Sequence, residues 1–248
     1  MQPLPKALNN KFDIEPSIVY HDQDLLVMMK PSHVYVHSPE CRIARKTVGR
    51  KTCLHWLKDK HQITGYPIHR LDFATEGLVI FGLHNRCASE MNKLMRAHQI
   101  QKSYDVVVRG WFKEEHGKID LPLELDSTGE LVGCLTQYST TQKIELPYSV
   151  NSKFSTSRYS LLHVELKTGR WHQIRRHMNR VAHPIVGDRD HGDSHHNRFF
   201  RDELKINGLC LKAKTLKFTH PFENKIVDLV APRTELWDRI ERLFTATL

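Results

Sequence analysis

Gly77-Leu78-Val79-Ile80-Phe81-Gly82-Leu83 is a nearly unbroken apolar run, and behind it, within Asn85 to His98, Ala88, Met91, Leu94 and Met95 recur at helical spacing. A short apolar run bounded by glycine reads as a buried strand, and the three-four repeat as an amphipathic helix. Working outward, Ile18-Val19-Tyr20, a polar His21-Asp22-Gln23-Asp24 turn and Leu25 to Met29 before Pro31 predict a hairpin within Ser17 to His37. Downstream, the β-branched run Tyr104 to Val108 and the runs Leu135 to Ile144, Tyr159 to Leu166, Leu209 to Phe218 and Ile226 to Val230 predict further strands. Helices are predicted over Trp171 to Val181 and Glu235 to Phe244, the latter with Leu236, Ile240, Leu243 and Phe244 on one face. Strands dominate the middle and end of the chain, so the fold class is α+β.

The segment Cys41 to Lys60 carries Arg42, Arg45, Lys46, Arg50, Lys51, Lys58 and Lys60 around a few apolar anchors, Leu54, Trp56 and Leu57, and reads as a basic, solvated connection. Asn151 to Ser157 is a polar stretch, but there is no Gly/Ser linker, internal repeat or low-complexity tract. The simplest partition is an N-terminal extension, 1–16, and one catalytic domain, 17–248.

With 248 residues, the chain is long enough to bury a sizeable core. No apolar stretch reaches the roughly 18 residues that a membrane helix needs, and Met1 to Phe12 lacks the apolar region and cleavage site of a secretory signal. The expectation is a soluble, cytoplasmic protein with no membrane partner. Cys41, Cys53, Cys87, Cys134 and Cys210 are odd in number and scattered, with no Cys-x-x-Cys pair, which fits reduced thiols. A formal charge of +9 suits a polyanionic partner, although charge alone is equally compatible with simple solubility.

Two segments carry chemistry. Ile68-His69-Arg70-Leu71-Asp72 lies between a Gly65-Tyr66-Pro67 turn and the Gly77 strand, so it is predicted to be a loop at a strand's edge. Taken alone, a loop aspartate is more often a cap or a surface ion-pair partner. Lys167-Thr168-Gly169-Arg170-Trp171-His172-Gln173-Ile174-Arg175-Arg176-His177 runs from a strand through a glycine turn into a donor-rich helix, which alone reads as a solvated basic face.

Together the segments resemble the RluA-type pseudouridine synthases. The family's His-Arg-Leu-Asp-x-x-Thr-x-Gly loop is present from His69 to Gly77. The resemblance continues through Lys102-Ser103-Tyr104 with Val108-Arg109-Gly110, through Gly169-Arg170-x-His172-Gln173-Ile174-Arg175, and through His183-Pro184-Ile185-x-Gly187-Asp188. It covers roughly Ile18 to Pro232. Arg175-Arg176-His177 and the run from Gly187 to Phe200 look most like the branch of the family that acts on uridine 65 of tRNA. Phe73 and Glu76 depart from the family's usual arginine and serine, which bears on how the rim of the site meets RNA.

The resemblance implies a mixed, mostly antiparallel central sheet flanked by helices, with the active-site cleft across it and Asp72 at its floor. It implies catalytic roles for Asp72, Tyr104 and Arg175. An ionised Asp72 would attack the base or sugar or assist proton removal. Arg175 would pair with it in a buried charge-assisted bond, its plainer role being a bond to a phosphate or helix neighbour. Tyr104, on pattern alone a core strand residue, would stack on the detached uracil and relay a proton. Arg70 would fill the place of the extruded uridine, or simply bind phosphate, and His69 would support the loop or touch RNA. Lys102, Arg170, Arg176 and Arg198 are candidate RNA backbone contacts.

Isomerisation leaves no net redox or hydrolytic change, so no cofactor and no metal is expected, and no Walker or dinucleotide motif is present. The expected partner is a tRNA substrate bound by a monomer without an S4-type RNA-binding module, for which the 16 residues before the first strand leave no room. Three rival readings are weighed. A metal-dependent hydrolase would use His191, His195 and His196 with Asp188, Asp190 and Asp193, a stretch that reads better as a solvated loop. A non-catalytic RNA-binding or chaperone protein would have no need of Asp72, Tyr104 and Arg175. A synthase acting on ribosomal RNA would keep them all.

Overall fold

The computed structural model describes residues 12, 14–38, 51–125, 127–150 and 153–246. They fall into two compact units, Met1–Ala97 with Pro221–Asn224, and His98–His220 with Lys225–Leu248.

In the first unit, β1 (Ser17–His21) and β2 (Leu25–Lys30) form the expected hairpin, with Ile18 opposite Met28 and a bulge before Tyr20. Asp22 closes the turn, its Oδ1 accepting the Asp24 and Leu25 N–H groups, both at 2.9 Å. Helix α1 (Cys53–His61) lies where a solvated connection was expected; residues 41–50 of that stretch lie outside the described residues. Its lysines mislead because they cluster at the exposed C-terminal end, while Cys53, Trp56 and Leu57 at helical spacing are buried and Thr52 Oγ1 caps the His55 N–H. Tyr66–Pro67, expected as a turn, is the short strand β3, paired with Phe81 and Gly82 of β4 (Glu76–Gly82). Strand β2 takes the other edge of β4, with Met28 opposite Val79. Every residue of β2 and β4 is buried, which explains why neither alternates in sequence. Helix α2 (Asn85–Arg96) follows directly, and Gly82 permits its approach, since a Cβ there would meet Ala88 N at 2.9 Å.

The second unit contains β5 (Gln101–Arg109), β6 (His116–Asp120), β7 (Leu123–Glu124), β8 (Leu131–Val132), β9 (Leu135–Leu146) and β10 (Ser157–Leu166). Helices α3 (Gln173–Arg180) and α4 (Ser194–Asp202) follow, then β11 (Leu211–Thr219), β12 (Ile226–Val230) and α5 (Glu235–Thr245). Within this unit, β11, β5, β10, β9 and β6 are antiparallel neighbours in that order, β12 also pairs with β11, and β7 pairs with β8. The strand pairings described in both units are antiparallel, and an isolated parallel bridge joins Tyr35 to Thr52. The expected α+β class, mostly antiparallel sheet with helices, is therefore what forms. Val107, Tyr159, Phe199, Phe200, Trp237 and Ile240 belong to one buried cluster that fastens α4 and α5 to the sheet.

The stretch read as a solvated loop around His195 and His196 is corrected by α4. Asp193 caps it, accepting the His195 and His196 N–H groups, and His196 is buried with its Nδ1 at 2.8 Å from the Tyr159 hydroxyl. Two histidines and an asparagine in a row disguise a helix whose inward face is His196, Phe199 and Phe200. Strands β6, β7 and β8 were not expected, since none alternates over four or more residues.

Candidate active site

Each unit presents one part of the expected machinery. In the first, residues 68–75 form the predicted loop between β3 and β4. The Ile68 N–H donates to Ile80 O at 3.0 Å, and the Ile80 N–H donates back to His69 Nε2 at 3.3 Å, so His69 fastens the loop to β4. Thr75 N–H donates to Asp72 O at 3.1 Å and turns the chain. The Asp72 side chain is half-buried, Arg70 is exposed, and Phe73 packs on Tyr35 with ring centroids 4.6 Å apart.

Beneath the loop lies Lys30, fully buried at the end of β2. Its ammonium donates to Pro31 O at 2.9 Å, Val34 O at 2.8 Å and Phe73 O at 3.3 Å. The Phe73 carbonyl also accepts the His33 N–H at 2.7 Å, which pins the residue after Asp72. Burial pulls the Lys30 amine down to about 8, against the charges of Cys53, Asp72 and Glu76, which raise it. Glu76 itself is 5% exposed. It belongs to the interior beneath the loop and not to the rim expected for it. Sequence reasoning passed over Lys30, although a lysine ending an otherwise apolar strand was the available signal.

In the second unit, Tyr104 and Lys102 stand on β5, with Tyr104 buried between Val164 of β10 and Ala213 of β11. Burial lowers the Lys102 amine. Arg175, on α3, is 4% exposed and acts as a hub. Its Nε and Nη2 donate to the two oxygens of Asp188, each at 2.7 Å, and Nη2 also reaches Asp190 Oδ2 at 2.7 Å. Nη1 donates to His172 Nε2 at 2.7 Å. A guanidinium can only donate, so this ring nitrogen accepts, and His172 Nδ1 carries the proton it shares with His191 Nε2 at 3.0 Å. Burial pushes the Asp188 carboxyl up, but the bonds and charge of Arg175 and the His191 and Asp190 N–H groups outweigh it and hold the acid below its ordinary value.

The turn that delivers Asp188 depends on Gly187, at φ +80°, whose N–H donates to Asn197 Oδ1 at 2.7 Å. A Cβ there would sit 1.7 Å from Gly208 O. Gln173, also buried, secures the preceding loop: its Oε1 accepts Thr168 Oγ1–H and the Arg170 N–H, and its Nε2 donates to Leu135 O and Thr136 Oγ1. Arg170 and Arg198 are exposed, and Arg176 donates to Glu124 O at 2.9 Å. Five of the six residues weighed as metal ligands are engaged otherwise: Asp188 and Asp190 with Arg175, His191 with His172, Asp193 with Arg109 and the α4 cap, and His196 with Tyr159; the sixth, His195, is exposed at the start of α4 with its Nδ1 3.7 Å from Asp193 Oδ1.

The arrangement thus brings His69, Arg70 and Asp72 onto one fastened loop, and Arg170, Arg175 and Arg176 onto one loop and helix. A half-buried carboxylate on a rigid loop suits nucleophilic or general-base work. The RNA pseudouridylate synthase family matches residues 24–180. A tRNA pseudouridine synthase C of Vibrio parahaemolyticus serotype O3:K6 is 37% identical over 242 residues, covering 94% of this chain and 95% of that protein. The protein of the same name from Haemophilus ducreyi is 35% identical over 240 residues, 93% and 96% of the two chains. Among solved structures, Human RNA Pseudouridylate Synthase Domain Containing 1 shares the fold, with a TM-score of 0.67 at 21% identity over 100% of this chain and 98% of that one. With more than half its length matched by the family and near-complete relatives above 30% identity, this chain belongs to the RNA pseudouridylate synthases, a family of isomerases.

Proposed function

We propose that this enzyme converts uridine 65 of tRNA to pseudouridine, with Asp72 as its catalytic carboxylate. The observation that carries the reading is the 37% identity to a tRNA pseudouridine synthase C across nearly the whole of both chains. The reaction breaks the bond from uracil N1 to C1′ of the ribose, turns the base and joins its C5 to the same carbon. Asp72 supplies the anion for the first step, Arg175 serves the same reaction as its cation, and Tyr104 stacks on the freed base and relays the proton lost from C5, N1 taking up a proton in exchange. The uridine must leave its stack to be reached, at a cost of about a few kcal/mol. Arg70, exposed beside Asp72, takes the vacated place, while His69, Lys102, Arg170, Arg176 and Arg198 hold the RNA, the long cations chiefly through its phosphates. The enzyme works as a monomer in the cytoplasm, without metal or cofactor.

The test is to incubate the full chain, wild type or Asp72→Ala, with unmodified tRNA and with ribosomal RNA, and to map the pseudouridines formed. Product at tRNA position 65 from wild type alone is expected. Product confined to ribosomal RNA overturns the substrate, product elsewhere in tRNA overturns the position, and activity retained by Asp72→Ala overturns the role of the carboxylate.

A further inference from the structure

Trp171 stands out among the four tryptophans. Trp56 and Trp237 are 6% and 5% exposed, and Trp111 is half-buried, its indole N–H donating to Ile144 O at 3.1 Å and Arg158 lying over its ring. Trp171 is 45% exposed. Its ring lies nearly parallel to that of His172, with centroids 3.7 Å apart and 15° between planes. Leaving that much of an indole in water forgoes the burial that large aromatics usually obtain.

The ring is not exposed because its surroundings are loose. On one side Gln173 Oε1 holds the Arg170 N–H at 3.1 Å. On the other, His172 is fixed by Arg175 through one ring nitrogen and by His191 through the second. His172 also takes a left-handed backbone, φ 50°, which is uncommon for a residue with a side chain and is retained here by these bonds. Trp171 is therefore held between two anchored neighbours, with a rigid imidazole backing it. The surroundings are cationic: Lys167 to His177 contains no carboxylate, Arg170 is exposed, and the Arg176 guanidinium lies 5.8 Å from the ring centroid. Of the exposed acids nearby, Asp190 is bonded to Arg175, and Glu124 meets Arg176 through its backbone carbonyl.

We propose that Trp171, backed by His172, is a stacking platform for one unpaired base of the RNA substrate, with Arg170 and Arg176 binding the flanking phosphates. The proposal rests on the RNA-modifying reading above. A planar, pre-oriented π surface bordered by arginines matches a nucleobase and its backbone, and it accepts any base, because every base has a π face. The platform contributes to holding the substrate and not to the bond changes at the uridine.

The test uses the full chain and a tRNA transcript. Three quantities are read: Kd, the single-turnover rate at saturating RNA, and tryptophan emission during the titration. Trp171→Ala should raise Kd about tenfold, as loss of one base–aromatic stack does, while the rate at saturation stays within about twofold. Trp171→Phe keeps a π face and should stay within about threefold of wild type in Kd. Wild-type emission should be quenched by RNA and that of Trp171→Phe should not, a signal that a merely structural tryptophan would not give. Equal Kd for Trp171→Ala and wild type, or identical emission changes in wild type and Trp171→Phe, overturns the platform. Failure of the underlying reading looks different: wild type would bind the transcript with quenching yet form no pseudouridine, which leaves the platform standing.

Discussion

Lys30 and Arg175 are both buried cations, and the two units neutralise them in opposite ways. Lys30 is met by three backbone carbonyls, with carboxylate charge only near it, whereas Arg175 is gripped by both oxygens of Asp188 and by Asp190. Carbonyls solvate an ammonium without cancelling its charge, so burial wins and the amine falls to about 8. A bidentate carboxylate cancels the guanidinium's charge within one pair, and it is the acid that shifts. The first device fastens a loop by its backbone. The second fixes side chains, passing order from Asp188 through Arg175 to His172 and His191.

The sharpest way to break this comparison is to remove the carboxylate. Asp188→Asn leaves the buried guanidinium with only the exposed carboxylate of Asp190 and should cost about 3 kcal/mol of stability in urea denaturation, the lower end of what breaking a buried pair costs. Because the Asp188 pKa is depressed on folding, its contribution is present above the ordinary carboxylate range and lost as pH falls through the folded value. The acid limb of the wild-type stability profile should accordingly flatten in the variant; an unchanged midpoint and acid limb would mean that the pair contributes nothing net.

Lys30→Met probes the other device. Between about 8 and 10.5 the folded chain binds fewer protons at Lys30 than the unfolded chain does, so this residue makes stability rise with pH across that window. At about 1.4 kcal/mol per pH unit the rise amounts to roughly 3 kcal/mol. Denaturation of wild type and Lys30→Met across the window should show the rise in wild type only. Parallel profiles would mean that the buried amine keeps its ordinary proton affinity. The smallest effect comes from a surface pair chosen as a control: Arg239→Ala removes a partner of Glu235 one helical turn away, 2.7 Å apart and well exposed, and should leave the denaturation midpoint where it was.

The two regions also differ in how far their sequences reveal them. The apolar runs of β2 and β4 and the repeat in α2 announced themselves, because nearly every burial there is of an apolar side chain. The His69 to Gly77 loop was visible as a motif, and its placement between strands followed from its apolar flanks. The supports of the site were not visible. Lys30 and Glu76 look like surface residues until tertiary contacts bury them, and Asp188 looks like one more member of a charged cluster until Arg175 selects it. Helix α4 was hidden because a run of polar residues carries its buried histidine and its cap. Apolar burial leaves a periodic trace in sequence, whereas polar burial depends on partners many residues away and leaves none.

The turn at Gly187 places a limit on how this family member can drift. Its missing methyl group makes room for the Gly208 carbonyl, and the segments on either side are tied together by the Cys210 N–H to Val186 O bond at 2.9 Å, so they cannot part to admit one. Any heritable change from glycine at this codon would push on the backbone that delivers Asp188 and thereby on the side chains that Arg175 organises. Lineages descending from this sequence are free to vary many of its charges, but the absence of a single carbon atom has to be inherited intact.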